Sequence, residues 1–534
     1  MSRSTINRRK VLKGSLAGGI IAASAGATHS AASPERWDRE VDVVVIGSGT
    51  GLLGALVAAK AGKRVLVLEK GSAPGGNTLV SGGVFWVPNN RIMRREGLSD
   101  SREQALTYLN KLSLGQADST LMEAFVDHGP DMADYLEQHT TMTLRVSKLM
   151  GAVADYHPEW PGSNVKGRSL EPAQPQVALA GGLLVSSLLV AVTGAGGELL
   201  TATPARQLLT ATDADGQSRV VGVLAEHDGK PLRIRARTGV LLASGGFERN
   251  PTMKTHFLRG PSPYTFGATT NTGDGIHMGM ALGADLRNMN EVWGMTVYTA
   301  DAEANGSRTG GMSLAAQIER RNPGCIAVNR YGERFCNESA DYDSSWRSYH
   351  TWQNWGDLGY RNMPAFHIFD QTYRERYALA GHSPDQPLPA WVTVADSLEQ
   401  LARQLGIDPE GLRRNIDRYN HYAKLGQDPD FHRGASRYDR NDPAADQAAA
   451  LAPVIKAPFY GAQVSPADLG TCGGLRVNGQ AQVVNVFDQP INGLYASGNT
   501  AGVGSPGALY GGGGGTLGPA LTFAYIAGRQ LAKA

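Results

Sequence analysis

Short runs of branched apolar residues flank a longer apolar stretch near the start of the chain. Val41–Ile46 and Arg64–Glu69 are rich in valine and leucine, which is typical of buried strands. Leu53–Gly62 lies between them, follows a glycine turn and has the pattern of a helix. The order strand, helix, strand predicts a βαβ unit and therefore an α/β fold.

Apolar runs and turn residues further along the chain predict more elements of both kinds. Asp428–Asp446 is polar and rich in turn residues, so we expect a loop there. The predicted elements are a buried helix from Gly181, short strands between Glu198 and Leu224 with a turn at Asp215-Gly216, a strand from Thr238 that ends in a Gly-Gly turn, a short helix over Met278–Leu282, and surface helices over Glu399–Ile407 and Pro409–Gly426.

The composition is that of a globular protein of enzyme size. The chain has 534 residues, of which 41% are hydrophobic, so it is too long for one core and we expect two or three lobes. Its formal net charge is only +2, and no long basic stripe follows the extreme N-terminus. We therefore expect no nucleic-acid partner.

The cysteines give no sign of a metal site or a disulfide framework. Cys325, Cys336 and Cys472 are odd in number and widely spaced, with no CxxC or Cys/His spacing. We therefore expect buried free thiols and no bound metal.

Residues 1–32 have the features of a targeting signal. The sequence Asn7-Arg-Arg-Lys-Val11 precedes an apolar run from Gly14 to Ala27, which is too short to span a bilayer. This resembles a twin-arginine export signal, although Ser or Thr is usual at the place of Asn7 and Phe at that of Val11. We expect export to the periplasm by the Tat machinery, as a soluble or loosely membrane-associated protein.

A glycine loop joins the first predicted strand to its helix. Gly47 permits the tight turn and Gly49 lets a pyrophosphate approach the backbone, while the helix N-terminus faces the negative charge. Glu69, at the end of the second strand, can hold a ribose hydroxyl. Leu52 occupies the sixth position of the motif and Gly51 the fifth, so helix and strand must pack closely in another way.

A second glycine loop follows at once, and it favours FAD over a nicotinamide cofactor. It comprises Lys70–Thr78 and Ser81–Gly83. No His or Cys stands in a convincing attachment context, so we expect the FAD to be non-covalent. The expected FAD contacts are Gly47, Gly49, Gly51, Glu69, Lys70, Gly76, Asn77, Thr78, Ser81, Gly82, Gly83, Ala205, Gly245, Asp274, Gly498, Asn499, Gly515, Thr516 and Leu517.

The C-terminal segment carries the most specific chemistry. After the sequence GLYASGNT, Tyr510 is followed by five glycines and a helix-like segment from Thr516. Bare glycine backbone and a helix N-terminus let N–H groups approach a negatively polarised atom. The pattern indicates a site that binds an oxygen.

The order of these signatures resembles the fumarate reductase/succinate dehydrogenase flavoprotein superfamily. The signatures are GSGTG, GGNT, ASGGF, NTGDG, RFCNE, GLYASGN and the final tyrosine with its glycine run. Within the superfamily the chain is most similar to 3-ketosteroid Δ1-dehydrogenases, over nearly everything after residue 40. The resemblance implies a Rossmann-like FAD-binding domain over residues 40–289 and 457–534, with an inserted α+β catalytic (capping) domain over residues 290–456.

The resemblance also implies roles for three tyrosines and one glycine. Tyr510 and the N–H of Gly514 would hold the 3-keto oxygen of a steroid. Tyr342 would take the C2 proton, with Tyr156 hydrogen-bonded to it, while flavin N5 takes hydride from C1. The implied reaction is the 1,2-dehydrogenation of a 3-ketosteroid, with electrons passed to a quinone or another acceptor.

This chemistry explains why such residues are needed. A C–H next to a ketone becomes acidic when the developing enolate oxygen is stabilised, by about 3 kcal/mol for each donor. A tyrosine has an ordinary pKa of about 10, so it acts as a base only where its neighbours favour the phenolate. Supporting the phenolate is the role expected of Tyr156.

Dicarboxylate enzymes of the superfamily are the nearest alternative. They have an arginine before the terminal glycines and a histidine before Thr-x-Gly-Gly, where this chain has Tyr510 and Leu469-Gly470. A carboxylate prefers a bidentate guanidinium whereas a ketone prefers neutral donors, so these substitutions favour a carbonyl substrate. Arg320-Arg321 lies near the place of their proton-donating arginine, and its alternative role is an ion pair.

Other functions stay open at this point. Gly511 stands where proline is common in the steroid family, which makes the loop less stiff and leaves the substrate undetermined. A 3-ketosteroid 4(5α)-dehydrogenase or a dehydrogenase of another cyclic ketone would share most of these signatures. A fumarate reductase-like reductase of an unsaturated acid would depend on Arg321. A flavin protein that only relays electrons would bind no organic substrate.

Overall fold

The predicted βαβ unit is present and lies in the larger of two main sheets. The computed structural model describes residues 36–534 except 118, 149–154, 165, 175–179, 213–215, 307–310 and 508. The predicted export signal therefore lies outside the described residues, as does Asp215 of the predicted turn. Asp38–Ala534 forms one compact unit, which contains all the elements below.

The strands of the described part are, in chain order, β1 Arg39–Ile46, β2 Val65–Leu68, β3 Phe85–Trp86, β4 Leu144–Val146, β5 Ser169–Pro172, β6 Glu198–Leu200, β7 Ala205–Thr212, β8 Ser218–His227, β9 Lys230–Leu242, β10 Tyr264–Thr265, β11 Leu286–Arg287, β12 Val292–Tyr298, β13 Ile326–Asn329, β14 Trp352–Gln353, β15 Gly359–Tyr360, β16 Ala365–Asp370, β17 Thr393–Ala395, β18 Phe459–Thr471, β19 Gly474–Leu475, β20 Gln482–Val484 and β21 Pro490–Ala496.

The α-helices of the described part are α1 Gly51–Lys60, α2 Gly76–Leu79, α3 Arg91–Arg95, α4 Arg102–Ser113, α5 Ser119–His139, α6 Gly181–Gly194, α7 Pro251–Phe257, α8 Asp274–Met280, α9 Thr299–Asn305, α10 Ala315–Glu319, α11 Tyr342–Ser348, α12 Gln371–Arg376, α13 Leu398–Leu405, α14 Pro409–Lys424 and α15 Leu517–Lys533.

The first sheet has a parallel core. Strands β6, β2, β1, β9 and β21 run parallel in that order, with Val43 of β1 opposite Val65 of β2 and Gly239 of β9. The second half of the long strand β9 pairs with β21, whereas its first half pairs with β8. Strands β7, β8 and β9 form an antiparallel meander. All four residues of β2 are buried, as expected for a strand covered on both faces.

Glycines allow α1 and α15 to cross at close range. A Cβ at Gly528 of α15 would lie 2.7 Å from the carbonyl oxygen of Gly54 in α1. A Cβ at Gly54 would lie 2.9 Å from the carbonyl oxygen of Ala524 and 2.5 Å from a methyl of Leu241 in β9. Larger side chains would force the two helices apart and away from the parallel strands.

Most strands of the second sheet come from the segment predicted as the inserted domain. β18 is its central strand and pairs with β10, β12, β16 and β17, while β13 pairs with β16. Helices α13 and α14 cover this sheet through a core that includes Leu401, Ile416 and Ile368. Because β18 begins at Phe459, this sheet extends past the expected boundary at residue 457, and the domain limits themselves remain a prediction.

Most predicted elements lie where the pattern placed them, and one short helix is shifted. α8 spans Asp274–Met280 instead of Met278–Leu282. Gly273 has a φ of +82° and turns the chain immediately before Asp274, whose carboxylate suits the first turn of a helix. The glycine therefore starts the helix one turn earlier than the run of helix formers indicated.

Two other observations concern the whole described part. The three cysteines are buried and free, as predicted. Within the same residues, none of the helices combines the length and the apolar character that crossing a membrane requires.

Candidate active site

One cavity of about 630 Å³ brings together the glycine loops and the tyrosines. Elements of both main sheets line it. The predicted cofactor contacts that line it are Gly47, Gly49, Glu69, Lys70, Gly76, Asn77, Thr78, Ser81, Gly82, Ala205, Gly245, Asp274, Gly498, Asn499, Thr516 and Leu517, and the predicted catalytic residues Tyr156, Tyr342, Tyr510 and Gly514 line it as well.

Three predicted contacts, Gly51, Gly83 and Gly515, do not line this cavity but pack beside it. A Cβ at Gly51 would lie 2.8 Å from the Cβ of Ala243, which follows β9. Gly51 and Gly54 thus allow α1 to pack closely on β9. The displaced glycine motif had left this helix-to-strand packing without an explanation. A Cβ at Gly83 would lie 2.5 Å from the carbonyl carbon of Ala180, and one at Gly515 would lie 2.8 Å from Ser505 Oγ.

The N-terminus of α1 is uncapped and could bind an anion. Its N-cap residue, Thr50, makes no side-chain hydrogen bond to the helix, and the first turn contains no acidic residue. Thr50 and Gly49 both line the cavity. At Gly49 a Cβ would lie 2.9 Å from Thr78 Oγ1, so only glycine keeps this approach clear. Backbone N–H groups and the helix dipole therefore suit a phosphate group here.

Glu69 is fixed by the loop that it faces. Its carboxylate accepts hydrogen bonds from the N–H of Ser48 at 3.2 Å and from the N–H of Gly71 at 2.7 Å, besides one from the Ser48 hydroxyl. These bonds hold the first and second glycine loops in register. Ser48 lines the cavity and was not predicted, although it stands inside the GSGTG signature.

Lys70 and Asp274 form an ion pair at the cavity wall. Lys70 Nζ donates to Asp274 Oδ2 at 2.8 Å and to Thr272 Oγ1 at 2.6 Å. Both charged side chains are about one-third exposed, so the pair contributes little stability by itself. It does link the second glycine loop to the start of α8.

A buried carboxyl group that the sequence analysis missed holds Asn77. Glu248 Oε1 accepts hydrogen bonds from Asn77 Nδ2 at 2.8 Å and from Asn271 Nδ2 at 2.7 Å. Burial raises the pKa of Glu248, while the bond from Asn271 lowers it. The only signal in the sequence is the position of Glu248 three residues after Gly245, in the signature ASGGFE.

These features meet the requirements of FAD. Two loops of bare backbone and the uncapped N-terminus of α1 suit a pyrophosphate, and the N-terminus of α15 is likewise uncapped and carries Leu517 at the cavity. Further polar residues that line the cavity and were not predicted are Thr50, Thr203, Ser244, Thr270 and Asn271.

The glycine run positions Tyr156 through the backbone. The N–H of Tyr156 donates to the carbonyl of Gly511 at 3.1 Å, and Asp155 forms a β-bridge with Gly512. A buried ion pair fixes the same segment, since Asp155 Oδ2 accepts from Arg168 Nη1 at 2.8 Å. Burial raises the pKa of Asp155 to about 6, against the lowering effect of Arg168.

Arg320 supports the chain segments on both sides of Tyr342. Tyr342 is the first residue of α11, which Asp341 caps by accepting from the N–H of Ser344 at 2.9 Å. The guanidinium of Arg320 donates to the carbonyls of Glu338 and Ala340 and to Ser345 Oγ. Arg320 is buried and bonds to neutral oxygens, so it is not the ion pair that the sequence suggested as an alternative role.

Three tyrosine rings meet in the cavity. The hydroxyl of Tyr156 donates to that of Tyr342 at 3.1 Å, which is the predicted hydrogen bond. The ring of Tyr510 stacks on Tyr156 with centroids 5.4 Å apart and meets Tyr342 edge-on at 5.1 Å. All three residues lie in the cavity lining, so their hydroxyls can act on one bound molecule.

Burial keeps these phenols neutral in the protein alone. It raises the pKa of Tyr342 well above the usual range. Burial is also the main cause that raises the pKa of Tyr156 and of Tyr510, although hydrogen bonding from Thr516 lowers that of Tyr510. Neutral phenols are hydrogen-bond donors, which suits a carbonyl oxygen.

Gly514 provides a main-chain N–H in the lining of the cavity that Tyr510 also lines. Its φ is +90°, and a Cβ there would lie 2.5 Å from Cα of Phe85, so only glycine fits. In the described part of the chain no acceptor is in hydrogen-bond contact with its N–H. This N–H is therefore free to donate to a bound molecule.

Other residues of this end of the cavity were not predicted. Trp293 meets Tyr510 edge-on with centroids 5.0 Å apart, and Tyr438 contacts Tyr156 at 4.8 Å. Tyr438 lies in the segment predicted as a loop, where a short 3-10 turn over Arg437–Asp439 presents its ring. The remaining unpredicted lining residues here are Phe266, Met295, Leu314, Gln317, Ile318, Asn322, Asn441 and Leu469.

Comparison with known proteins gives one consistent result. A family model described as FAD binding domain matches residues 42–517. A 3-oxosteroid 1-dehydrogenase of Mycolicibacterium smegmatis is 35% identical over 92% of this chain and 97% of its own length. A 4-oxocyclohexanecarboxylate 2-dehydrogenase of Sinomonas cyclohexanicum is 34% identical over 92% of each chain.

A solved structure extends the comparison to three dimensions. It is the 3-ketosteroid Δ1-dehydrogenase from Sterolibacterium denitrificans in complex with 1,4-androstadiene-3,17-dione. It matches this chain with a TM-score of 0.81 and 30% identity, over 93% of this chain and 100% of its own.

Proposed function

Since the chain belongs to the FAD binding domain family, and within it to the flavoproteins that include the 3-oxosteroid 1-dehydrogenases, we propose that it introduces the 1,2 double bond into a 3-ketosteroid. The observation that carries the proposal is the contact between the Tyr156 and Tyr342 hydroxyls, 3.1 Å apart, in the cavity that Tyr510 and the glycine loops also line. An electron-relay protein would not need such a group of phenols.

Tyr510 and Gly514 bind the ketone. The phenol of Tyr510 and the free N–H of Gly514 donate hydrogen bonds to the carbonyl oxygen. Both become stronger as negative charge develops on that oxygen, and each is worth about 3 kcal/mol in the transition state. The C–H bonds next to the carbonyl thereby become acidic enough for removal of a proton.

Tyr342 removes the proton from C2. Its phenolate forms the new O–H bond, and the electrons of the C2–H bond form the double bond between C1 and C2 as a hydride leaves C1. This hydride passes to the flavin that the site would hold. Tyr156 stabilises the phenolate by donating its own O–H, since a hydrogen bond to a charged acceptor is about twice as strong as one to a neutral acceptor. Burial raises the pKa of Tyr342 and so opposes this ionisation, which is why the phenolate needs a hydrogen-bond donor.

FAD is the cofactor, and when bound it supplies the hydride acceptor that no side chain can provide. Neither a histidine nor a cysteine lines the cavity in the described part of the chain, which supports non-covalent binding. The two glycine loops, Glu69 and the Lys70–Asp274 pair hold the nucleotide part. Electrons then pass to a quinone or another acceptor.

The predicted export signal and domain limits complete the proposal. We infer that residues 1–32 direct a folded, FAD-loaded protein to the periplasm. The FAD-binding domain would comprise residues 40–289 and 457–534, and the capping domain residues 290–456. Fusion of residues 1–32 to a reporter that is active only in the periplasm would test the signal, with the twin arginines replaced by lysines as the control.

Anaerobic mixing of the FAD-loaded protein with a 3-oxo-4-ene steroid tests the function. We expect the flavin absorbance to bleach and the product to carry a new double bond between C1 and C2, as measured by mass spectrometry and NMR. A product oxidised between C4 and C5 from a saturated 3-ketosteroid would identify a 4(5α)-dehydrogenase instead. Absence of bleaching with every ring ketone would leave a reductase of an unsaturated acid or an electron-relay protein.

A further inference from the structure

Arg321 lines the cavity that contains the three tyrosines. Its guanidinium lies 4.5 Å from the centroid of the Tyr438 ring, and Nη2 donates to the Tyr438 carbonyl at 2.5 Å. The ring of Tyr438 in turn contacts Tyr156 at 4.8 Å. A single aromatic ring therefore separates this cation from the tyrosine group.

Arg321 makes no salt bridge in the described part of the chain; burial raises the pKa of the nearby Asp439, and Arg321 is among the groups that lower it. Among those residues no carboxylate lies within salt-bridge distance of its guanidinium, and its buried Nε has no hydrogen-bond acceptor. A guanidinium has five N–H donors, and the Tyr438 carbonyl uses one of its nitrogens. Arg320, the preceding residue, differs because it is buried and donates to three neutral oxygens.

The surroundings of Arg321 are suited to the end of an amphipathic molecule. Leu314 and Ile318 provide apolar surface on the α10 side, whereas Asn322 and Asn441 provide amides in the lining of the same cavity. Asn441 Nδ2 lies 3.5 Å from Asn322 Oδ1, so the two amides are adjacent. The cavity thus has neutral donors for a ketone at Tyr510 and a cation at Arg321.

We propose that Arg321 binds a carboxylate that the ring ketone substrate carries away from its reacting carbonyl. The proposal rests on the function proposed above and narrows its substrate class to oxo acids. A carboxylate matches the planar fork of a guanidinium. The carboxylate could belong to a steroid side chain or to a single-ring acid such as the 4-oxocyclohexanecarboxylate that names one relative.

Matched acid and ester substrates test this proposal. The first pair is a 3-oxo-4-ene steroid with a carboxyl-terminated side chain and its methyl ester. The second pair is 4-oxocyclohexanecarboxylate and its methyl ester. The kcat/KM of the FAD-loaded enzyme would be measured for all four compounds, together with FAD content and thermal midpoint for each variant.

The variants are Arg321→Gln, Arg321→Lys and, as a control, Arg437→Gln. Arg437 is next to Tyr438 in the chain, does not line the cavity and has a half-exposed side chain, so its loss changes the net charge equally. We expect Arg321→Gln to lower the acid-to-ester ratio of kcat/KM by about 10- to 150-fold. Arg321→Lys should restore part of the ratio, and Arg437→Gln should leave it unchanged.

The outcomes separate this proposal from the proposed function. If the acid-to-ester ratio of kcat/KM falls in Arg321→Gln for the steroid pair, the carboxylate belongs to a steroid acid. If the ratio falls for the cyclohexanone pair, the carboxylate belongs to the small acid. Equal losses for acid and ester in Arg321→Gln would overturn the proposal, because Arg321 would then act on Tyr438 or the tyrosine group. Bleaching by neutral ketones alone would overturn it too, whereas no bleaching by any of the four compounds would refute the function itself.

Discussion

The substitution Tyr342→Phe removes one oxygen and little else. The ring of Tyr342 packs against Tyr156 and Tyr510 with centroids 5.4 and 5.1 Å away, and phenylalanine can keep both contacts. What disappears is the acceptor of the 3.1 Å hydrogen bond from Tyr156. The change therefore separates the chemistry of the hydroxyl from the packing of the ring.

The expected effects on stability and on rate differ widely. Loss of one buried hydrogen bond lowers the free energy of unfolding by about 0.5–1.5 kcal/mol. Loss of a general base lowers the rate of its step by about 10²- to 10⁴-fold, which corresponds to about 3–5 kcal/mol of activation free energy. A defect in stability alone cannot imitate this result, since the protein would remain folded.

The assay is anaerobic stopped-flow bleaching of the flavin by a 3-oxo-4-ene steroid. FAD content and thermal midpoint are measured on the same preparations. Tyr460→Phe is the matched control, because Tyr460 is also buried, its hydroxyl also makes one hydrogen bond, to Gln371, and the residue does not line the cavity. A Tyr342→Phe protein that keeps its FAD and bleaches within about threefold of the parent rate would refute the assignment of the base.

Three further predictions concern the same site. Tyr156→Phe should slow flavin bleaching by about 10- to 150-fold while leaving Tyr342 in place, and an unchanged rate in stopped flow would show that the phenolate needs no such donor. Because the pKa of Tyr342 is raised and its phenolate is the active form, the bleaching rate should rise with pH by up to about tenfold per unit; a flat profile between neutral and alkaline pH would contradict this. Gly514→Ala should lower the free energy of unfolding by at least about 1–3 kcal/mol, since the φ of Gly514 is +90° and Phe85 blocks the Cβ. Gly229→Ala is the control: its φ is +71° with open space around the Cβ, so this variant should unfold in urea much closer to the parent midpoint.

The sequence by itself determined the cofactor fold and the chemical type of the site. Gly47 and Gly49 predict the nucleotide loop because the backbone there must turn and approach an anion, and these requirements are local. The continuous apolar runs of β1 and β2 predicted these strands, because a strand covered on both faces needs such a run and this requirement is also local. Tyr156, Tyr342 and Tyr510 could be named because the segments around them resemble those of a known family.

Only the tertiary structure decided how residues from distant segments act together. Arg320 and Arg321 are neighbours in the chain, yet successive positions at the end of a helix point about 100° apart, so one supports the Tyr342 segment and the other faces the cavity. Tyr438 reaches the site from a polar turn and Glu248 from the loop between β9 and α7, where no local pattern specifies a partner. Packing across β18 and the glycine run brings these segments together, and such long-range contacts are not encoded in the period of any single element.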